Sequence, residues 1–329
     1  MDAKFSLIIP VKELNMYLME SVPKIQKLMP DIWELIILTD LEESNCWGDD
    51  FRIKLISSGR ITPGGKRDLG ASVSTGEYLI FLDDDSFPSI DFLRKVESSF
   101  QMHLDCVAIG GPGVTPPESG LLERASGAFY ESAFSGADSD RYVQVGVPKF
   151  VDDWPSVNFS IQKKAFIEIG GFGSEFWPGE DTYLCNKIIE HGMRIKYDPE
   201  VVVFHHRRAT LRAHLKQIKG YGFHRGNFAR HLGGNSRRFK YYIPSLFSMF
   251  ALASPLIIGQ KFEPFSSISK LILATYFMAA IYISVKIFKK SGPLVSMLFP
   301  AYALLSHLTY GCFFMLGYVK SKPIKSKLR

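Results

Sequence analysis

Three apolar stretches, Tyr241–Gly259, Leu271–Phe288 and Leu294–Val319, constrain this 329-residue chain more than any other feature. Each is close to the roughly 20 residues a helix needs to cross a bilayer. Buried helices of a second soluble domain are the alternative, and the charge pattern disfavours it. Residues 207–329 carry 20 Lys+Arg and one acid, Glu263, a net of +19, whereas residues 1–206 carry 19 Lys+Arg against 32 Asp+Glu, a net of −13. A basic region interleaved with apolar runs points to an anionic membrane face rather than to nucleic acid. No paired Cys/His spacing of a nucleic-acid module occurs either. Lys286 lies close enough to the end of its stretch to snorkel.

The number of crossings stays open. Three crossings from a cytosolic start place Lys320, Lys322, Lys325, Lys327 and Arg329 outside, against the positive-inside tendency. A re-entrant or interfacial Tyr241–Gly259, which contains Pro244 and Pro255, is the other solution. The four cysteines, Cys46, Cys106, Cys185 and Cys312, are scattered, which fits a reducing compartment and neither a disulfide framework nor a zinc site. The chain starts on a strand-like segment, Phe5–Ile9, without the apolar core and cleavage site of a signal peptide. The expectation is a cytosolic first half on the inner (cytoplasmic) membrane.

Residues 1–210 alternate short apolar runs with helical patterns. Strands are expected at Phe5–Pro10, Trp33–Leu38, Arg52–Ile56, Tyr78–Leu82, Cys106–Gly110, Val157–Ile161, Ile195–Tyr197 and Val201–Phe204. Helices are expected at Met16–Leu28 with Asn15 as N-cap, Lys66–Thr75 closed by Gly76, Ile90–Phe100, Lys163–Ile169 and Asp181–His191. This order implies βαβ units and a mostly parallel, Rossmann-like sheet, whose ligands bind beyond the carboxyl ends of the strands. Asp40 and Asp83 stand at such ends. A basic amphipathic segment, Leu211–Arg230, lies within a juxtamembrane region 211–240, followed by a membrane region 241–329 with two or three crossings.

Four constellations carry chemistry. Asp83-Asp84-Asp85 follows an apolar strand. Adjacent carboxylates repel unless a cation or hydrogen bonds offset them, and hard oxygen ligands suit Mg²⁺ or Mn²⁺. Alone, such a triplet is more often a solvated turn capping the next helix; the apolar strand before it shifts the balance toward a site. Gly64-Gly65-Lys66-Arg67-Asp68 places glycines ahead of a basic helix start, which suits an anionic diphosphate, although it lacks the spacing of a P-loop. Glu180-Asp181 opens a helix, where a carboxylate tends to stay ionised. That suits a general base, or an ordinary acidic cap. His205-His206-Arg207-Arg208 offers an imidazole to a metal and guanidinium groups to phosphates, or a basic surface to headgroups.

In order and spacing these segments resemble the family 2 glycosyltransferases of GT-A (nucleotide-diphospho-sugar transferase) fold. The similar stretches are Leu7-Ile8-Ile9-Pro10-Val11, the Lys66–Gly76 helix leading into Glu77–Asp85, Gly170-Gly171-Phe172 and Gly179-Glu180-Asp181, within roughly residues 4–210. The resemblance implies a nucleotide-diphosphate sugar as donor, a divalent metal, Mg²⁺ or Mn²⁺, and inversion at the anomeric carbon. It implies that Pro10, Val11, Glu13 and Asp40 border the nucleotide and that Lys66 and Arg67 lie near the base or diphosphate. Asp83 falls on the ribose side and Asp85 on the metal; from their own chemistry Asp84 joins Asp83 as a candidate on the donor side, and Asp83 and His205 join Asp85 as candidate metal ligands. Asp181 matches the catalytic base, with Glu180 beside it. The second strand ends Thr39-Asp40-Leu41-Glu42 instead of the family's common acidic turn with Gly-Ser. The Q-x-x-R-W motif of processive synthases is absent, which favours transfer of one sugar at a time. The acceptor implied is membrane-proximal, a lipid-linked sugar or glycan of envelope polysaccharide or glycolipid synthesis.

Three rivals remain. A sugar nucleotidyltransferase wants a Gly-rich basic loop where Pro10-Val11-Lys12-Glu13 stands. A non-catalytic sugar-nucleotide-binding membrane protein has no need of Glu180-Asp181. A transporter subunit wants polar residues in its spans, where His307 is the main candidate.

Overall fold

The computed structural model describes residues 3–135, 139–173, 177–259 and 263–323. Lys325, Lys327 and Arg329 of the basic tail lie outside the described residues. The chain divides into two compact units, one formed by the residues up to Pro116 together with Asp140–His206, the other by Pro117–Ser139 together with Arg207–Ile324.

The first unit is α/β. Its main sheet holds β1 (Phe5–Pro10), β2 (Trp33–Thr39), β3 (Ile53–Ser57), β4 (Tyr78–Leu82), β6 (Ala108–Gly110), β8 (Lys149–Val151), β9 (Asn158–Gln162) and β10 (Ile195–Tyr197) in the order β3-β2-β1-β4-β9-β6-β10-β8. β1 runs parallel to β2 and β4, with Phe5 opposite both Trp33 and Tyr78. β9 is antiparallel to both β4 and β6, and β8 is antiparallel to β10, so the sheet is mixed with a parallel majority. β1, β2 and β4 read as almost unbroken apolar runs because both sheet faces are covered. On one face Leu7, Ile9, Leu35 and Ile37 pack under α1 (Met16–Ile25) and α3 (Phe92–Met102). On the other, Ile8, Ile36 and Phe81 pack under α2 (Pro63–Val73), α5 (Lys163–Glu168) and α6 (Glu180–Glu190).

A second sheet of three short strands has the order β5-β11-β7, from β5 (Ser86–Pro88), β11 (Val203–His205) and β7 (Gly113–Val114). The expected strand at Val201–Phe204 lies here, shifted so that His205 ends it. Asn15 caps α1 by accepting from the Tyr17 and Leu18 amides, as its sequence position suggested. α2 starts three residues earlier than expected. Thr62 accepts from the Gly65 amide and Pro63 supplies a pre-set φ, so Gly64 and Gly65 belong to the first helical turn, not to a loop before it. Its C-cap is Ser74, not Gly76.

Glu34 is a buried acid in the middle of this unit that no sequence pattern singled out. It accepts from Ser6 Oγ at 2.6 Å, Lys54 Nζ at 2.6 Å, and the Thr75 amide and hydroxyl at 2.5 and 2.9 Å. Burial pushes its carboxyl up, but the bonds from Lys54, Ser6 and Thr75 outweigh that and hold it at about 2. One side chain thus ties β1, β2 and β3 to the segment after α2.

The second unit is helical: α4 (Leu121–Glu131), α7 (Leu211–His231), α8 (Ile243–Gly259), α9 (Glu263–Ser291) and α10 (Pro293–Val319). His214 of α7 is fully buried and meets Ser126 of α4 and Ser306 of α10, each at 2.8 Å. Phe134 stacks against Tyr276 and Phe299. Among the described residues, three helical segments, Phe239–Ile258, Pro264–Ser291 and Pro293–Val319, are long and apolar enough to cross a membrane.

Glu34→Gln should lower stability by about 2 kcal/mol at neutral pH, because a charge-assisted cluster loses its acceptor charge while Lys54 regains solvent. The Glu34 carboxyl is depressed from 4.5 to about 2 on folding, so its contribution is present above pH 4.5 and is lost as pH falls toward 2. Thermal unfolding of the detergent-solubilised protein should show the gap between wild type and variant closing over that window. A gap independent of pH would contradict the assignment.

Candidate functional site

The site lies within the first unit, at the carboxyl ends of β1, β2 and β4 and the start of α6. Val11 follows β1 with its amide on the Leu38 carbonyl, and Asp40 follows β2 with its amide on the Lys12 carbonyl. Lys66, buried in the first turn of α2, inserts its ammonium between them. It donates to the Val11 carbonyl and to Asp40 Oδ1, both at 2.5 Å. Lys66 therefore holds the two strand ends together. Pro10 is buried at the end of β1, whereas Glu13 is exposed in the loop that follows.

Arg67 points along the other side of α2 and is 2% exposed. Its Nη2 donates to Asp83 Oδ1 at 2.6 Å and its Nη1 to Glu180 Oε1 at 3.0 Å. Two acids 97 residues apart in sequence thus share one guanidinium. α2 sits low enough to do this because residue 70 is glycine: a Cβ there would fall 2.6 Å from Ile8 Cγ2 on the sheet.

Asp68, the next residue, fixes the loop before α6. Its carboxylate accepts from the Phe172 amide at 2.7 Å and the Gly173 amide at 2.9 Å. Gly171 takes φ +58°, and a Cβ there would collide with Asp68 Oδ1. This explains the Gly170-Gly171-Phe172 motif locally. The loop must turn left-handed and press its backbone onto an acid. Gly179, at φ +116°, then caps α6.

The acidic triplet splits three ways. Asp83 faces Arg67. Asp84 accepts from Asn15 Nδ2 at 2.5 Å. Burial and the neighbouring Asp85 raise the Asp84 carboxyl to about 6. Asp85 is buried, with Oδ1 at 3.2 Å from His205 Nε2. That approach follows from register: β5 and β11 are antiparallel with His205 opposite Ser86, one residue past Asp85. His206 turns the other way and meets Glu20 of α1 at 2.9 Å. Arg207 belongs to the second unit, where its guanidinium lies 5.5 Å from the Tyr130 ring centre.

Ligand-type atoms of Asp83, Asp85 and His205 all lie within 4.8 Å of one another. Two carboxylates and one imidazole form a donor set suited to a hard or borderline divalent cation. On α6, Glu180 is buried against Arg67. Burial lifts its carboxyl, with Arg67 opposing. Asp181 beside it is half-buried, and its Oδ1 accepts from the Thr182 amide at 2.7 Å. Asn15 and Asp68 were not singled out as site residues by sequence. Asn15 was readable only as a cap, and Asp68 only as part of a basic helix start.

The mixed, mostly parallel sheet covered by helices on both faces has the GT-A fold. The fold is shared with a mannosyltransferase from Pyrobaculum calidifontis, solved in complex with GDP-Man and Mn²⁺. The TM-score is 0.58 at 14% identity, covering 93% of this chain and 86% of that one. The model of the glycosyl transferase family group 2 matches residues 78–316, and the chain belongs to that family. Over 165 residues it is 30% identical to the pre-mycofactocin glycosyltransferases of Mycobacterium tuberculosis strains CDC 1551 / Oshkosh and H37Rv. The match takes in 49% of this chain and 33% of those relatives' length.

Removing Arg67 should leave Glu180 buried without its cation. Arg67→Leu is expected to cost about 3–5 kcal/mol, the range for breaking a buried pair from one side. Arg67→Leu/Glu180→Leu should recover part of it. Additive losses in this double-mutant cycle would show that the two side chains do not act as a pair.

Proposed function

We propose that the chain is an inverting glycosyltransferase that moves one sugar at a time from a nucleotide-diphosphate donor to a membrane-proximal acceptor. Residues 1–210 act as the catalytic domain, 211–240 as a basic juxtamembrane segment, and 241–329 as the membrane region. The observation that carries this reading is Arg67, which joins Asp83 of the metal-competent cluster to Glu180 of the acidic helix start. It brings a place for a diphosphate next to a place for a base.

In this reading Pro10, Val11 and Asp40 border the nucleotide, held in position by Lys66. Glu13 is free to close from the exposed loop. Asp83, Asp85 and His205 hold Mg²⁺ or Mn²⁺, with Asp84 behind them on Asn15. A divalent cation there supplies charge neutralisation for the departing diphosphate. Asp181 accepts the proton of the acceptor hydroxyl, whose oxygen then bonds to the anomeric carbon. The bond to the nucleoside diphosphate breaks on the opposite face, which inverts the configuration. Glu180, clamped by Arg67, positions Asp181. The relatives support the class of donor: one solved neighbour holds GDP-Man with Mn²⁺. A lipid-linked or glycan acceptor, in envelope polysaccharide or glycolipid synthesis, fits a catalytic domain on the cytosolic side of the inner membrane.

The test is a panel of nucleotide sugars with purified full-length protein, Mn²⁺ or Mg²⁺ and membrane lipid extract, reading released nucleoside diphosphate and labelled lipid. Donor binding without release or transfer for any donor would favour a non-catalytic sugar-nucleotide-binding protein.

Asp181→Asn is expected to keep donor affinity within about threefold and to lose at least about 100-fold in transfer, the usual span for a positioned base. Wild-type turnover by that variant would remove Asp181 from the role. His205→Ala and Asp85→Asn should each weaken donor binding in a metal-dependent way. Calorimetric titrations with donor and Mn²⁺ that match wild type would argue against the cluster as the metal site.

A further inference from the structure

α7 and α10 lie side by side in the second unit, and glycine sets the distance between them. A Cβ at Gly222 would fall 2.6 Å from the Tyr310 carbonyl oxygen. One at Gly226 would overlap the Phe314 carbonyl, and one at Gly317 would overlap the Phe223 carbonyl. Polar contacts continue the seam. His214 meets Ser306 at 2.8 Å, Asn227 donates to the Lys322 carbonyl at 3.1 Å, and Arg230 to the Tyr318 carbonyl at 3.1 Å. Partners advance together from 214 and 306 to 230 and 318, so the helices run parallel. α10 is therefore bound to α7 from Ser306 to its C-terminal end.

α7 cannot lie in hydrocarbon. Arg212, Lys216, Lys219 and Arg230 are exposed along its length. A cationic side chain at the bilayer centre costs about 2.5–3.5 kcal/mol on insertion scales. The half of α10 fastened to α7 shares its depth. What remains is Pro293–Leu305, which rises only about 20 Å at 1.5 Å per residue, short of the roughly 30 Å hydrocarbon core.

The other two helices suit a hairpin. Phe247 of α8 stacks on Tyr276 of α9 with ring centres 4.4 Å apart, and Ser266 reaches the Ile258 carbonyl, so they run antiparallel. Basic residues flank this pair outside, Arg237, Arg238 and Lys240 before it and Lys286, Lys289 and Lys290 at its end. The connecting end of the hairpin carries fewer cations, Lys261 between the helices and Lys270 in the second turn of α9, with Glu263 opening that helix. With both outer flanks on one side the positive-inside bias is satisfied.

We infer that α10 does not cross the bilayer. It lies with α7 along one membrane surface, the α8–α9 hairpin alone enters the hydrocarbon, and the chain beyond Val319 emerges on the side that α7 occupies. The basic face of α7 then meets anionic lipid headgroups. This removes the conflict between three apolar stretches and a basic tail without making Tyr241–Gly259 the exceptional segment. It does not depend on the proposed catalytic reading.

The test uses the full chain carrying Cys46→Ser and Cys312→Ser, with the two buried cysteines kept, and adds Lys216→Cys and Lys322→Cys together. The protein is reconstituted into sealed vesicles of phosphatidylcholine with phosphatidylglycerol and exposed to a membrane-impermeant maleimide. Intact mass then counts the labels on each molecule, whatever the orientation of the vesicle insertion. The expected result is molecules with two labels or none. After detergent lysis every molecule should take two, and the background protein none. A population carrying one label each in sealed vesicles would place the two positions on opposite sides and overturn the inference.

Discussion

The buried guanidinium of Arg67, set between Asp83 and Glu180, is the interaction on which the first unit's site depends. Five acidic side chains, Asp83, Asp84, Asp85, Glu180 and Asp181, come from two segments of the chain, and each segment alone is a row of repelling charges. A cation fixed between them lets the fold hold both rows. It can be fixed only because α2 is seated hard on the sheet through Gly70 and because Asp68 pins the Phe172 and Gly173 amides. Lys66 performs the matching task one residue earlier, joining the ends of β1 and β2 through Val11 and Asp40. Two adjacent basic residues, both buried, thus place most of the residues proposed for donor binding. Neither is left as a mobile surface charge.

Much of the architecture was legible because it follows from local rules. The apolar runs at β1, β2 and β4 announce strands covered on both faces, and the acid after β4 marks a carboxyl end. What escaped was set by tertiary contacts. α2 was placed three residues late because its start is decided by Thr62 and Pro63, not by the first basic residue. Val203–His205 went to a separate three-stranded sheet, which no alternation in so short a run reveals. That shift matters, since antiparallel pairing with β5 brings His205 to Asp85. Glu34 could not be found from sequence at all. A lone acid in an apolar strand carries no periodic signal, and its partners Ser6, Lys54 and Thr75 come from three other segments.

The acidic triplet shows how identical residues acquire different environments. Asp83 is paired with a guanidinium, Asp84 with an amide donor that also caps α1, and Asp85 with an imidazole. The sequence order Asp-Asp-Asp says nothing of this. In the turn after β4 the middle carboxylate reaches Asn15 at the start of α1. Burial and the charge of Asp85 raise the Asp84 carboxyl to about 6. The two carboxylates that remain side by side with His205 are the ones whose charge a bound cation would offset.

The same device, glycine permitting close backbone approach, acts in both units with different consequences. At Gly70 it lowers a helix onto a sheet and so presents Lys66 and Arg67 to the strand ends. At Gly222, Gly226 and Gly317 it presses a charged helix onto an apolar one. Hydropathy measures the length and composition of α10 and finds 27 residues fit to span. It does not register what α10 is fastened to. Membrane depth is a property of the packed unit, so the more polar member of a tight helix pair limits the other. For this chain the informative residues about topology are the small ones on α7, a helix that a search for apolar stretches passes over.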